Sequence, residues 1–173
     1  NIENIVYTYD GAATGIVVNG TLPDGVTYST EGQTLTISGI PTETGTFPFS
    51  VSTTSSSSLC DDATNQLSIT INNSPTVSIS AEASEVCNGS SVSMTSNPST
   101  FNSYLWTCAS SSNETYTITA GMPTATNNSS LTVNPTVSQG NTDVVYNLLV
   151  TDANNCTATA SRTISISQTP AAE

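Results

Sequence analysis

Apolar residues in this chain come in short bursts that skip every second position, and nowhere at the spacing of a helical face. Ile5, Tyr7 and Tyr9 alternate, and a short run, Ile16-Val17-Val18, follows. Leu35 and Ile37 come next, then Phe47, Phe49 and Val51, then Leu67, Ile69 and Ile71. The pattern resumes with Val77 and Ile79, Val92 and Met94, Tyr104 and Trp106, Tyr116 and Ile118, and Leu131 and Val133. Tyr146, Leu148 and Val150 and then Ile164 and Ile166 close the set. A period of two puts alternate side chains on opposite faces of a pleated strand, so each burst carries one apolar face. Such a face is buried only against another sheet. The sequence therefore predicts an all-β chain built of packed sheets, with Thr, a good strand former, on the outer faces.

Turn residues separate the bursts: Asp10-Gly11, Pro23-Asp24-Gly25, Glu31-Gly32 and Gly39-Ile40-Pro41. Thr53 to Asn65, with the serine run Ser55 to Ser58, reads as a long polar loop. Asn72-Asn73-Ser74-Pro75 is the best boundary, because proline ends a ladder and nothing apolar flanks it. The expected domains are 1-73 and 74-169. Seven bursts in the second, with the single Trp on the third, match an immunoglobulin-type sandwich. Trp106 is expected between the sheets, the alternative being an exposed sugar-stacking ring. Tyr7 and Tyr9 share one strand face and read as core, or as a sugar platform.

Composition narrows the chemistry. The 173 residues include 28 Ser, 31 Thr and 17 Asn, against 13 Asp and Glu, one Arg, no Lys and no His. Histidine-based triads, lysine Schiff bases, Walker-type phosphate loops and histidine-ligated zinc cannot be built from this set. A net charge of −12 opposes binding to nucleic acid or to an anionic membrane surface, and no apolar run is long enough for a membrane-spanning helix. Four cysteines in such a chain point to an oxidising, extracellular compartment.

Carboxylates remain. A glycosidase needs only a pair of them, but nothing in the sequence fixes two at the required separation, so no catalytic residue is assigned and the chain is expected not to be an enzyme. Calcium takes oxygen ligands from Asp, Asn and backbone carbonyls, which makes Asp61, Asp62, Asp152 and Asn154 the metal candidates, with Glu82, Glu85 and Asn155 nearby in sequence. No other cofactor is implied. Seven Asn-x-Ser/Thr sequons occur, at Asn19, Asn72, Asn88, Asn113, Asn127, Asn128 and Asn155; so much Asn, Ser and Thr yields about that many by chance.

Two stretches carry a family likeness. Leu22-Pro23-Asp24-Gly25-Val26, Leu35 to Thr42 and Gly45-Thr46-Phe47 resemble Ig-like repeats of bacterial surface proteins, and the opening Ile2 to Tyr9 is similar to their Bacteroidetes version. Val86-Cys87-Asn88-Gly89, Tyr104-Leu105-Trp106 and Leu148 to Cys156 resemble PKD-like repeats of the same bacteria. The resemblance implies two tandem Ig-like/PKD-like β-sandwiches. It further implies a repeat segment of a large adhesin of the SprB gliding-motility type, exported by the type IX secretion system to the outer cell surface. Its partners would be neighbouring repeats and an extracellular surface or polysaccharide. The competing reading is a non-catalytic spacer or carbohydrate-binding module of a secreted multi-domain enzyme.

The same likeness implies a Cys87–Cys156 disulfide, which would contribute about 2–4 kcal/mol. It places the partner of Cys60, and a first strand of the first domain, upstream of Asn1. Cys108 has no counterpart in the pattern. Cys87–Cys108 and Cys60–Cys108 are the alternative pairings.

Overall fold

A computed structural model describes residues 2–11, 13–55, 61–110, 118–119, 127–138 and 140–168, and all its regular structure is β. The chain divides into two compact units, Asn1–Asn73 and Ser74–Glu173.

The first unit holds β1 (Ile5–Thr8), β2 (Ala13–Gly20), β3 (Val26–Glu31), β4 (Thr34–Gly39), β5 (Gly45–Ser55) and β6 (Thr64–Ile71). They form two three-stranded sheets, β1-β4-β3 and β2-β5-β6. Alternation decides what is buried: Leu35 and Ile37 of β4 face Phe49 and Val51 of β5 and Ile69 of β6, with Val26 at the edge. β3 buries only Val26 of its alternating pair, since Tyr28 is exposed. It forms because Gly32, at φ 57°, folds the chain back and pairs Val26 to Glu31 with Gly39 to Thr34. Pro48 is tolerated in β5 because the β2 ladder ends one residue away, at Gly20 opposite Phe49.

The polar loop expected over Thr53 to Asn65 is shorter than its composition implied. Thr53 to Ser55 continue the ladder with β2, while Thr64 and Asn65 pair with Ser52 and Val51. Threonine and serine fit a half-buried paired strand, where Thr53 Oγ1 also accepts from Ala63 N–H at 2.9 Å, so polarity alone did not mark a loop.

The second unit contains β7 (Ser78–Ala81), β8 (Glu85–Cys87), β9 (Val92–Asn97), β10 (Ser103–Ser110), β11 (Ile118–Thr119), β12 (Ser130–Val133), β13 (Thr136–Val137), β14 (Thr142–Thr151) and β15 (Thr157–Ser167). One sheet runs β12-β9-β7 and the facing sheet β10-β14-β15-β8, with β11 and β13 as a small ribbon. Val92, Met94, Leu131 and Val133 of the first sheet pack on Trp106, Val144, Tyr146, Leu148, Val150, Ile164 and Ile166 of the second. Trp106 is buried, as its alternation predicts, and its Nε1–H donates to Asn128 O at 2.9 Å. That bond removes the cost of burying the indole N–H. Tyr116, expected on the strand with Ile118, lies outside the described residues.

The first segment of this unit switches sheets. β7 pairs antiparallel with β9, and after Glu82 to Ser84 the chain crosses so that β8 pairs in parallel with β15 (Glu85 to Cys87 beside Ser165 to Ser167). It thereby closes the seam between the two sheets.

Candidate functional site

The residues singled out by sequence occupy loops, seams and the inner sheet face, and most are already engaged by the backbone. In the first unit, Pro23-Asp24-Gly25 and Gly39-Ile40-Pro41-Thr42 meet. Ile40 N–H donates to Gly25 O at 3.1 Å and Thr42 N–H to Asp24 O at 2.9 Å. Asp24 N–H is held by Glu43 Oε1 at 2.8 Å, and Ile2 N–H donates to Gly39 O at 3.1 Å. Gly25 and Gly39 sit at φ 83° and 145°, and a Cβ on Gly39 would stand 2.8 Å from Val26 Cα. The glycines are required because two backbones touch there. The motif is a clasp between β3, β4 and β5.

The calcium candidates divide between the units. Asp61 and Asp62 lie in the first, where Asp62 Oδ1 accepts from Ser55 N–H at 2.8 Å. In the second, Asp152 Oδ1 accepts from Asn154 N–H at 2.8 Å and Cys156 N–H at 2.9 Å, which closes the β14–β15 turn around Asn155 at φ 61°. Glu85 accepts from the Ser167 hydroxyl, and Ser165 Oγ donates to Asp143 Oδ1 at 2.6 Å. Among the described residues, no group of three or more Cys, Asp or Glu gathers around one point.

The cysteine pairing changes. Cys87, Cys108 and Cys156 are free thiols. Cys87 stands beside Ser167 at the end of β15, whereas Cys156 immediately precedes Thr157 at its start. Eleven residues of extended strand separate the two levels, roughly 35 Å, and a disulfide needs Cα atoms within about 7 Å. The parallel placement of β8 is the reason: it carries Cys87 to the far end of the strand from Cys156. The Cys87–Cys108 alternative fails too, because β14 and β15 lie between β8 and β10, about 14 Å of strand spacing. Cys108 is free, so the Cys60–Cys108 alternative is not formed either, and Cys60 itself lies outside the described residues.

Sequence reasoning missed one row of side chains. Cys108, Tyr146 and Arg162 stand opposite one another on β10, β14 and β15, on the face that carries Trp106 and Ile164 inward. Burial, and secondarily the neighbouring Cys108, holds the Tyr146 phenol above the ordinary tyrosine range, and burial also pushes the Cys108 thiol up. Arg162, the only basic side chain of the protein, has its Nε buried without a hydrogen-bond partner. The register shows the row at once; the sequence hides it, because its members are 38 and 16 residues apart.

Asn88 is a second such residue. Its Oδ1 accepts from Val137 N–H at 2.9 Å and its Nδ2 donates to Val137 O at 3.1 Å, so one side chain extends the pairing of β13 to the end of β8. Tyr7 is half-buried against the first core, and Tyr9 donates its hydroxyl to Gly32 O at 3.1 Å. Tyr28, by contrast, is 47% exposed. Among the described residues, no helix is long and apolar enough to cross a membrane.

No protein-family model and no curated protein matches the sequence. Among solved structures, the chain is similar to murine CEACAM1b, at 15% identity and a TM-score of 0.43, over 94% of this chain and 92% of that one. It is also similar to the full ectodomain of mouse nectin-like molecule 4, at 14% identity and TM-score 0.40, over 98% and 66% of the two chains. Domains 4 and 5 of the S-layer protein SbsC give 13%, 0.36, 95% and 75%. The strand order itself, β1-β4-β3 on β2-β5-β6 and β12-β9-β7 on β10-β14-β15-β8, defines both units as immunoglobulin-like β-sandwiches.

Proposed function

We propose that this chain is a load-bearing stalk segment of a secreted cell-surface protein, a repeat of an adhesin that holds a distal binding surface away from the cell. The gliding-adhesin role and type IX export implied by the sequence likeness are part of this reading, with neighbouring repeats as partners. No catalytic step is assigned. The single observation behind it is the parallel β8–β15 pair.

In the second unit the chain enters at the end where Ser78 faces Asn97, which is also the end of the β14–β15 turn, and leaves at Ser167, beside Cys87. Tension between the two ends draws β8 and β15 past each other along their length. Their ladder bonds are then loaded together in shear, not opened one by one. The Asn88 bonds to Val137 and the Asn88 N–H bond to Ser167 O, at 2.9 Å, reinforce the same point.

Mechanical stretching of Val86→Pro tests this reading. Proline removes the strand N–H and clashes with continued pairing, so the second unit should extend at a clearly lower force with its near-UV spectrum retained. An unchanged force would contradict it. Exposed Tyr28 favours a second reading, a polysaccharide-binding module or spacer in a secreted enzyme. Glycan binding by the chain that disappears in Tyr28→Ala would support that reading over the first.

A further inference from the structure

One outer sheet face departs from the Ser and Thr that cover the others. Where β10, β14 and β15 pair in the second unit, Trp106, Tyr146, Leu148 and Ile164 point into the core, so the alternate positions face out. There Leu105 stands directly opposite Leu149, and Val145 lies on the same face of β14, on the other side of Asn147. Leu105 is 48% exposed, and Val145, Asn147 and Leu149 are half-buried. By register, the outer faces of β1-β4-β3 and β2-β5-β6 each carry a single Val, Leu or Ile, namely Val6 and Val17. That of β12-β9-β7 carries none. From the Ser103–Thr151–Thr157 row to the Val145–Thr163 row, the β10-β14-β15 face presents no ionisable side chain; Asp143 opposite Ser165 is the first. A clustered apolar, uncharged face of this kind marks an interaction surface.

We propose that a second copy of the chain docks on this face, sheet on sheet, about a two-fold axis crossing β14 at Asn147. Charge selects the occupant. The chain carries a net charge of −12 with a single Arg, so a basic partner is drawn to its carboxylates and gains nothing from a face without them. Two copies repel each other, and they approach at least cost where neither presents a carboxylate. The face is also self-complementary. The axis sets Leu149 of one copy over Val145 of the other and brings the two Asn147 amides together, each both donor and acceptor. Three strands about 4.8 Å apart, along about 34 Å of β14, offer roughly 500 Å² per copy. The total, about 1,000 Å², is the lower limit of a specific interface, so the pairing is weak and reversible. It goes beyond the stalk reading and does not depend on it, since it concerns lateral association and not load.

Sedimentation equilibrium of the whole chain tests this, with a reductant present to keep Cys87, Cys108 and Cys156 as thiols. The chain should pass reversibly from monomer to dimer as its concentration rises to about 1 mM. Raising the salt from about 0.05 M to about 0.5 M should tighten the pairing by screening the like net charges, whereas a basic occupant would be held less tightly. Leu149→Asp should weaken dimerisation about tenfold or more, and the milder Leu105→Ser should weaken it less. Thr132→Asp adds the same charge to the outer face of β12-β9-β7 and should leave the dimer unchanged. The near-UV spectrum of Trp106 checks that each variant is folded. A monomer at every concentration would overturn the proposal. So would a dimer loosened by salt, or one weakened equally by Leu149→Asp and Thr132→Asp, or one that Leu149→Asp leaves intact.

Discussion

The two sandwiches share a plan and differ in closure. Among the described residues, the second gathers fourteen buried apolar side chains around Trp106 and Tyr146, and the first gathers six around Leu35 and Ile37. In the second, a strand that switches sheets covers one seam; in the first, the equivalent seam holds half-buried Tyr7 and Ile16. A short crossing segment with a single apolar residue in β8, Val86, therefore alters more than its own area. It protects the flanks of β9 and β15, and it turns the pull on the chain ends from peeling into shear.

The largest expected effect is in the deep core. Trp106→Ala should cost the second unit about 3–5 kcal/mol, and Leu35→Ala should cost the first about 2–5 kcal/mol. Calorimetry of each variant should show one transition lowered and the other held. If both transitions move together, the two units are not energetically separate.

Next is the clasp of the first unit. Gly39→Ala places a Cβ against Val26 and forces an unfavourable backbone angle, for a loss of about 1–3 kcal/mol confined to the first transition. Denaturant midpoints measure it, and a neutral result would mean that the backbones can separate without cost.

The smallest effect is alkaline. Tyr146 and Cys108 are both held above their ordinary values in the folded second unit. Above the unfolded values, about 10 for tyrosine and 8.5 for cysteine, the unfolded chain has released protons that the folded one retains. Stability is therefore complete below those values and falls as pH rises through and beyond them. Trp106 fluorescence during denaturation at pH 7 and above pH 10 should show the decline. Tyr146→Phe, which cannot ionise, should make it shallower; an equal slope would remove Tyr146 from the account.

How much of this was legible in the sequence follows from what each element is made of. Leu35, Ile37, Phe49 and Ile69 announced their strands because alternation is written directly into them. Trp106 announced its burial for the same reason. β3, β8 and β13 were hidden: each exists because a partner strand offers a ladder, and each carries few apolar residues. The misread Cys87–Cys156 pair has the same origin, since the direction of β8 decides which end of β15 it reaches, and no local pattern encodes that. Glycine and proline motifs near Gly25 and Gly39 were visible, but their task as a clasp required seeing which backbones touch.

Closure by β8 makes the two sandwiches mechanically different, and stretching the intact chain between its ends measures that difference. In the first unit Ile5 and Ile71 lie at one end, through the Ile5–Ile37 and Gly45–Ile71 pairs, so β1 peels from β4 bond by bond. The second unit is loaded in shear. Two extension events are predicted, the shorter gain in length first and at the lower force, from the first unit, and the longer gain second. The longer gain appearing first, or both units yielding at one force, would contradict the account.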